Sequence, residues 1–208
     1  MAWDKALFHW INGLAGNIPA LDRFFSGVAD DYFIIITMCL VLVVMWFGTR
    51  DQKTRRENQL AVIAAMSSLG LATGMVALAN LFFVSNRLLG GTALSAVFNR
   101  PRPFEMEAVT LLFYRPTDPS FPSNMAAVVF GLSIAVWVKN RRVGAWLLGM
   151  ACLASFARIY VGIHYPMDIV GGALFGLVGV ILAFTLIKIL SPIRRFIFWV
   201  LEGLYLGG

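Results

Sequence analysis

Long apolar blocks dominate this sequence and fix the solvent in which it can fold. They lie at residues 32–47, 60–84, 125–138, 143–160 and 168–189. A helix needs about 17–25 such residues to cross a hydrocarbon core roughly 30 Å thick. The whole chain is 59% hydrophobic and only 13% charged, against roughly 25% charged in a soluble domain. The sequence therefore predicts an all-α fold, a polytopic transmembrane bundle of about five to six membrane helices.

A single membrane domain is predicted to fill residues 1–208, with the bundle at residues 32–190. Residues 1–31 mix apolar and charged side chains, a composition too polar to span and typical of amphipathic helices lying in the interface. Residues 191–208 are predicted to form a cytoplasmic or interfacial tail. Residues 86–98 are apolar but short and interrupted by glycines, so we expect a half-helix or re-entrant segment that stays on the outer side.

The net charge of +6 comes from short basic clusters between the apolar blocks. These clusters are Arg50, Lys53, Arg55 and Arg56; Lys139, Arg141 and Arg142; and Lys188, Arg194 and Arg195. With five spans, all of them fall on one side of the membrane, which the excess of basic residues in cytoplasmic loops identifies as the cytoplasm. The pattern predicts a multi-pass protein of the inner (plasma) membrane and no nucleic-acid partner.

Three short polar segments interrupt the apolar pattern on the predicted outer face. They are residues 99–104 (Asn-Arg-Pro-Arg-Pro-Phe), residues 119–124 (Pro-Ser-Phe-Pro-Ser-Asn) and residues 158–168, which join the fourth and fifth blocks. Ionisable groups at membrane depth are costly and usually functional. Their convergence therefore predicts a site on the extracytoplasmic side.

The residue types in these segments suit phosphate chemistry. Arginines bind phosphate oxygens through planar, permanently charged forks. Ser123 and Asn124 stand where a helix is predicted to begin, and free amides there favour an anion. His164 is followed four residues later by Asp168, which can orient the imidazole and leave its other nitrogen as a nucleophile.

These segments resemble the three motifs of the type 2 phosphatidic acid phosphatase superfamily, which includes lipid phosphate phosphatases and vanadium haloperoxidases. The resemblance spans roughly residues 95–172. It implies that His164 attacks phosphorus, that Asp168 orients it, and that no metal or cofactor takes part. It also implies phosphate-binding roles for Arg102, Ser123, Asn124 and Arg158.

Arg100 and Arg115 are two further candidates for binding the substrate. For Arg100 and Arg102 the alternative is that they snorkel to the interface, and for Arg115 that it sits in a solvated loop. For Arg158, His164 and Asp168 the alternative is a buried polar trio that caps helix ends.

Three positions depart from the family pattern. Ser95 stands where the first motif usually has a lysine, and Met125 stands where the second motif has the histidine that protonates the leaving group. Ala157 replaces a serine just before Arg158, a milder change. Since methionine cannot donate a proton, the usual general acid is missing.

The resemblance to bacterial undecaprenyl-pyrophosphate phosphatases predicts an enzyme that hydrolyses a lipid pyrophosphate or phosphate through a phosphohistidine. A pyrophosphate substrate fits best, because its leaving group is the less basic one and depends less on a general acid. Its partners are then the membrane and a phosphorylated lipid. One alternative is a catalytically impaired member that binds or moves such a lipid, and another is a phosphotransferase.

Overall fold

The computed structural model describes residues 2–85, 92–192 and 199–200, and its elements in these ranges are all helical. In chain order the helices are α1 (Ala2–Asn12), α2 (Pro19–Val28), α3 (Phe33–Phe47), α4 (Gln52–Asn80), α5 (Ala93–Phe98), α6 (Pro103–Met106), α7 (Asn124–Lys139), α8 (Arg141–Tyr160) and α9 (Pro166–Ile189). A π-helical turn, Leu81–Ser85, extends α4. The predicted all-α class is confirmed.

Polar side chains start the long helices by capping free backbone amides. Asp51 accepts a hydrogen bond from the Thr54 amide at 2.8 Å, and Asn140 accepts one from the Val143 amide at 3.2 Å. The hydroxyl of Ser123 lies 3.4 Å from the Ala126 amide at the start of α7. A proline at the first position, Pro166, begins α9 with a preset backbone angle. The positions at which these helices begin are thus determined by capping residues that are close in sequence.

Helix α7 is the centre of the bundle and packs against α4, α8 and α9. Glycine makes the α7–α9 approach possible. A Cβ built on Gly176 would lie 2.6 Å from the carbonyl oxygen of Ala127 and 2.7 Å from the amide nitrogen of Gly131. Small residues at such crossings are typical of membrane helices. The close α7–α9 contact also sets the spacing of the two loops that begin these helices.

Helices occupy all five predicted spans, but not all of them are long enough to cross by themselves. By length and composition three described helices can cross a membrane, namely α4 with its extension, α8 and α9. Helices α2 and α3 make a fourth span if their pair, bent by 55°, is counted as one. Helix α7 has only 16 residues. The predicted count of five to six is therefore met only if these shorter helices are included.

Side-chain contacts group the connecting segments at two ends of the bundle. Asn140, between α7 and α8, donates to Asn58 near the start of α4 at 3.3 Å, so two basic clusters are neighbours. At the other end the Ser123 amide donates to the carbonyl of Asp168 at 3.0 Å. The three polar segments meet there, away from the basic turns.

Helix α1 docks on this second end. Its inward face buries Asp4, Phe8 and Ile11, whereas Trp3 and Trp10 are exposed on the opposite face. An interfacial position for residues 1–31 stays a prediction. So does the re-entrant segment, of which residues 92–98 contain α5 while residues 86–91 lie outside the described residues. The predicted tail, with Arg194 and Arg195, also lies almost wholly outside them.

Candidate active site

A cavity of about 280 Å³ opens between the three polar segments. Four of the eight predicted catalytic and substrate-binding residues line it, together with Met125 and side chains that the sequence patterns did not single out. The lining comprises Asp31, Tyr32, Ile35, Arg102, Tyr114, Pro116, Asp118, Asn124, Met125, Val128, Arg158 and His164. Residues that are distant in sequence thus form one pocket whose wall combines two arginines, two aspartates and a histidine.

His164 is 3% exposed and lies in the tight turn between α8 and α9. Gly162 makes this turn with a φ of +87°, and a Cβ there would lie 3.0 Å from the carbonyl of Thr110. The Nδ1 atom of His164 is 3.0 Å from the carbonyl oxygen of Ser120. Because a carbonyl only accepts, Nδ1 carries the proton and Nε2 of the neutral ring has a free lone pair.

The Nε2 atom of His164 faces the cationic side of the cavity. It lies 3.4 Å from Nη1 of Arg102 and 3.4 Å from the hydroxyl of Ser123. Burial lowers the pKa of His164 below its ordinary value, and the charges of Arg102 and Arg158 lower it further, against the opposing effect of Asp168. The imidazole is therefore neutral near pH 7, which is the nucleophilic form.

Asp168 is fully buried behind His164 in the first turn of α9. Its Oδ2 accepts from the Ser120 hydroxyl at 2.5 Å and from the Tyr165 amide at 2.8 Å. The same Oδ2 is 3.7 Å from Nδ1 of His164, too far for a good hydrogen bond. Ser120, which the sequence patterns did not single out, thus stands between the aspartate and the histidine.

Arg102 is 3% exposed and is held rigidly at the cavity wall. Its Nη1 donates to the carbonyl of Ile163 at 3.0 Å. Its Nε donates to the carbonyl of Asp118 at 2.9 Å, and its Nη2 donates to the Asp118 carboxylate at 2.9 Å. The same Nη1 lies 3.4 Å from Nε2 of His164.

Arg158, at the end of α8, is 5% exposed and approaches the cavity from another direction. Its Nη2 donates to Asp31 and to the carbonyl of Ala29, the latter at 3.2 Å. Its Nε is buried and has no hydrogen-bond partner among the described residues. A buried guanidinium donor left unpaired is costly, and an anionic ligand in the cavity would supply the acceptor.

The start of α7 forms the third wall. Ser123 is buried, whereas Asn124 is exposed to the cavity. Met125 is 7% exposed and lines the same space. The Ser123 hydroxyl caps the Ala126 amide of the first turn, and the positive end of the helix dipole favours an anion in front of it. A thioether therefore occupies the wall where the family resemblance places a proton donor.

The structure places three other predicted positions outside this cavity wall. Arg100 is engaged by the carboxylates of Asp4 and Asp168, at 2.6 Å and 2.8 Å. Arg115 is exposed, with its guanidinium 5.7 Å from the ring centre of Phe104. Ser95 lies within α5, where its amide donates to Thr92. The substrate-binding roles predicted for Arg100 and Arg115 are not favoured by this geometry, because the Arg100 guanidinium is already bound by two carboxylates and Arg115 does not line the cavity.

Acidic and phenolic side chains are the part of the site that the sequence patterns missed. Asp118 pairs with Arg102, and Asp31 pairs with Arg158. Tyr114 donates to Asp31 at 2.5 Å, and this hydrogen bond, with burial, raises the pKa of Tyr114 to about 12. Both arginines of the cavity wall are thus paired with carboxylates from other segments of the chain. The only sequence signal was the presence of charged residues near predicted helix ends.

Among the described residues, no group of three or more histidine, cysteine, aspartate or glutamate side chains could hold a metal ion. The cavity wall holds two aspartates, two arginines and a single imidazole. Because each aspartate is already paired with an arginine, the remaining guanidinium donors suit an oxyanion rather than a cation.

Comparison with known proteins gives consistent matches. The sequence model described as the PAP2 superfamily matches residues 68–191. The chain is 28% identical to undecaprenyl-diphosphatase BcrC of Bacillus subtilis over 92% of its own length and 86% of that protein. It is 27% identical to the bacitracin transport permease protein BcrC of Bacillus licheniformis, over 90% and 82% of the two chains. The crystal structure of Aquifex aeolicus LpxE matches with a TM-score of 0.65 and 28% identity, covering 89% of this chain and 96% of that one.

Proposed function

Because this chain belongs to the PAP2 superfamily, we propose that it is a membrane phosphatase that removes the terminal phosphate of a lipid pyrophosphate or lipid phosphate. Undecaprenyl pyrophosphate is the best-fitting substrate, by similarity to undecaprenyl-diphosphatase BcrC over most of both chains. The chain is a multi-pass membrane protein. The proposed nucleophile is His164, with Arg102, Arg158, Ser123 and the start of α7 binding the phosphate.

One observation carries the proposal. The unprotonated Nε2 of His164 faces the same cavity as two buried arginines, and Nε of Arg158 has no hydrogen-bond partner among the described residues. A tetrahedral phosphoryl group in this space would accept hydrogen bonds from both guanidinium groups while its phosphorus faces Nε2. This arrangement combines an oriented nucleophile with fixed positive charge, the two elements that phosphoryl transfer requires.

The chemistry proceeds in two displacements. Nε2 of His164 attacks the terminal phosphorus, the nitrogen–phosphorus bond forms, and the bond to the bridging oxygen breaks to release the lipid phosphate. The imidazole then carries the phosphoryl group and a positive charge, since Nδ1 keeps its proton, which is hydrogen-bonded to the Ser120 carbonyl. Asp168 at 3.7 Å stabilises that charge. Water then attacks phosphorus, releasing inorganic phosphate and neutral His164.

Methionine in place of a histidine at position 125 favours a pyrophosphate substrate over a monophosphate. A general acid contributes typically about 10²–10⁴-fold when it protonates a leaving oxygen. An alkoxide that leaves from a phosphate monoester needs this proton far more than a polyprenyl phosphate that leaves from a pyrophosphate. The pyrophosphate reaction therefore tolerates Met125 better.

The proposed orientation places the cavity on the extracytoplasmic side. The basic turns that contain Arg55 and Arg142 lie together at one end of the bundle, joined by the Asn58–Asn140 contact. His164 and the phosphate-binding residues lie at the other end. If the basic end is cytoplasmic, the active site opens to the outside.

A second candidate function is binding or moving a phosphorylated lipid without hydrolysis. The replacement of the family lysine by Ser95 and of the acid histidine by Met125 favours it. One relative is named as a bacitracin transport permease protein. The intact set of Arg158, His164 and Asp168 favours the enzyme instead, since a binding protein has no need of a buried, oriented imidazole.

Phosphate release from the purified protein tests the proposal. A polyprenyl pyrophosphate and a phosphatidic acid are offered in the same mixed micelles to the parent protein and to His164→Ala. The matched control is His9→Gln, because His9 is the only other histidine in the chain and contacts Glu107 outside the cavity. We expect the parent and His9→Gln to hydrolyse the pyrophosphate faster than the monophosphate.

We expect His164→Ala to release no phosphate, and labelled substrate to leave an acid-labile phosphohistidine on the parent. Equal release by the parent and His164→Ala would disprove the nucleophile. Vanadate binding without turnover of either lipid would favour the binding function.

A further inference from the structure

Arg100 bridges two buried carboxylates that come from opposite ends of the sequence. Its Nη2 donates to Oδ2 of Asp4 at 2.6 Å, and its Nη1 donates to Oδ1 of Asp168 at 2.8 Å. The guanidinium also stacks on the ring of Tyr165, with 3.9 Å to the ring centre. Asp4 is 1% exposed and Asp168 is 0% exposed. A fully buried acid on a helix at the edge of the protein is costly unless it is paired.

Asp4 is also tied directly to the helix that carries Asp168. Its second oxygen accepts a hydrogen bond from the amide of Met167, in the first turn of α9, at 2.9 Å. A helix that only rests on the membrane would present its acid to water. In α1 the acid points inward and contacts the backbone and the cation next to the active-site aspartate.

The charges give this arrangement a consequence for His164. One guanidinium shared by two carboxylates leaves a net negative charge in the cluster. Without Asp4, the full charge of Arg100 would be directed at Asp168 and would weaken its support of a cationic imidazole. Buried charges interact strongly because water does not screen them.

We propose that Asp4 is a positioning residue for the active site, acting through Arg100 on Asp168, so that helix α1 is part of the catalytic apparatus and not only a membrane contact. The inference deepens the proposed function and rests on it for its kinetic test. It also makes a prediction about His164 that needs no turnover.

The charged groups around His164 determine in which direction its titration should shift when Asp4 is replaced. Arg102 and Arg158 approach the ring from the cavity, each paired with a carboxylate, and Asp168 with Arg100 and Asp4 lies behind it. Replacing Asp4 with asparagine removes one negative charge from the Asp4–Arg100–Asp168 cluster behind the ring. The charges of Arg102 and Arg158 on the cavity side stay unchanged. Protonation of His164 then becomes less favourable, so its titration moves to lower pH.

The experiment compares Asp4→Asn with Asp22→Asn. Asp22 is the matched control because it belongs to the same N-terminal segment and its carboxylate bonds to Gly16 and Tyr160, not to Arg100. We expect Asp4→Asn to lower kcat for the lipid substrate about 10- to 100-fold, as small losses of alignment do, with little change in KM or vanadate affinity. Asp22→Asn should keep the parent kcat.

The second readout is NMR titration of labelled histidine in a His9→Gln background, where His164 is the only histidine. Asp4→Asn should shift its midpoint to lower pH, and Asp22→Asn should not. Arg100→Lys, which keeps the charge but cannot fork between two carboxylates, should also lower kcat. Arg100→Lys therefore tests the Arg100 link between Asp4 and Asp168 even if Asp4→Asn folds poorly. In an Arg100→Gln background, Asp4→Asn should not lower kcat further, because the guanidinium that links Asp4 to Asp168 is already absent.

An unchanged kcat and an unchanged His164 titration in Asp4→Asn would overturn the inference. Equal losses from Asp4→Asn with and without Arg100 would also overturn it, as would loss of vanadate binding in that variant, since α1 would then only support the fold. If the parent protein releases no more phosphate than His164→Ala, the proposed function fails instead. The histidine titration then decides the role of Asp4 by itself.

Discussion

The carboxylate of Asp118 forms an ion pair with the guanidinium of Arg102, with 2.9 Å between Oδ1 and Nη2. It approaches the arginine from the solvent side of the cavity. The aspartate side chain is 61% exposed, whereas that of Arg102 is 3% exposed. A phosphate that binds Arg102 must therefore share it with, or displace, an internal anion. The same holds for Arg158 and Asp31, so each of the two buried arginines is paired with a carboxylate of the protein itself.

Asp118→Asn should tighten the binding of vanadate. The amide keeps the shape and the backbone acceptor of Arg102 but removes the competing charge. Because exposed ion pairs are weak, we expect an affinity gain of about two- to fivefold, measured by titration calorimetry. Asp30→Asn is the control, since Asp30 accepts hydrogen bonds from the amides of Tyr32 and Phe33 and does not line the cavity. Unchanged or weaker binding in Asp118→Asn would show that the carboxylate does not compete.

The pH profile should report the buried histidine. The protonated imidazole cannot attack phosphorus, so activity is lost as pH falls through the pKa of His164. Burial places that pKa below its ordinary value of 6.5, and the acidic limb of kcat/KM should accordingly lie below pH 6.5. His9→Gln should leave the limb in place. A limb above pH 6.5 would contradict the neutral, buried nucleophile.

Met125→His should return a proton donor to the leaving oxygen. If chemistry limits the rate, turnover should rise toward the roughly 10²–10⁴-fold typical of general acids, and more for a monophosphate than for a pyrophosphate. Met125→Leu is the control for the loss of the thioether alone. Rates are measured on both lipids with all three proteins. Equal rates for the parent and Met125→His would mean that another group supplies the proton or that none is needed.

Gly176→Ala should destabilise the bundle at the α7–α9 crossing. The added Cβ would meet the Ala127 carbonyl at 2.6 Å, and overpacking of this kind costs about 1–3 kcal/mol. Gly149→Ala is the matched control in another spanning helix, because no atom lies within 4 Å of its added Cβ. Thermal unfolding in detergent should show a lower Tm for Gly176→Ala only. Equal Tm values would mean that the helices separate without cost.

The predicted orientation can be tested with an impermeant thiol reagent. In a background without Cys39 and Cys152, a cysteine at Arg115 should label from outside intact cells, and one at Arg142 should label only after permeabilisation. Both positions are exposed at their ends of the bundle. Labelling of both from the same side would refute the arrangement of basic turns in the cytoplasm.

Hydrophobic patterns alone were enough to predict the helices and the bilayer in which they fold. The predicted spans at 143–160 and 168–189 agree with α8 and α9 to within two residues at each end. The predicted and observed spans agree because the bilayer acts as a solvent for each helix. The apolar length that a span needs can therefore be read from each segment alone. The span predicted at 60–84 is the exception. Helix α4 begins at Gln52, because a capping aspartate starts it before the apolar block does.

The tertiary structure alone decided which charges meet. The polar segments of the predicted site were visible in the sequence, but the pairing of Arg100 with Asp4, of Arg102 with Asp118 and of Arg158 with Asp31 was not. Such pairs depend on the rotation of each helix and the path of each loop, for which hydrophobic periodicity carries no information. Arg100 was accordingly predicted to bind substrate, whereas in the fold its charge is taken up by two carboxylates of the protein.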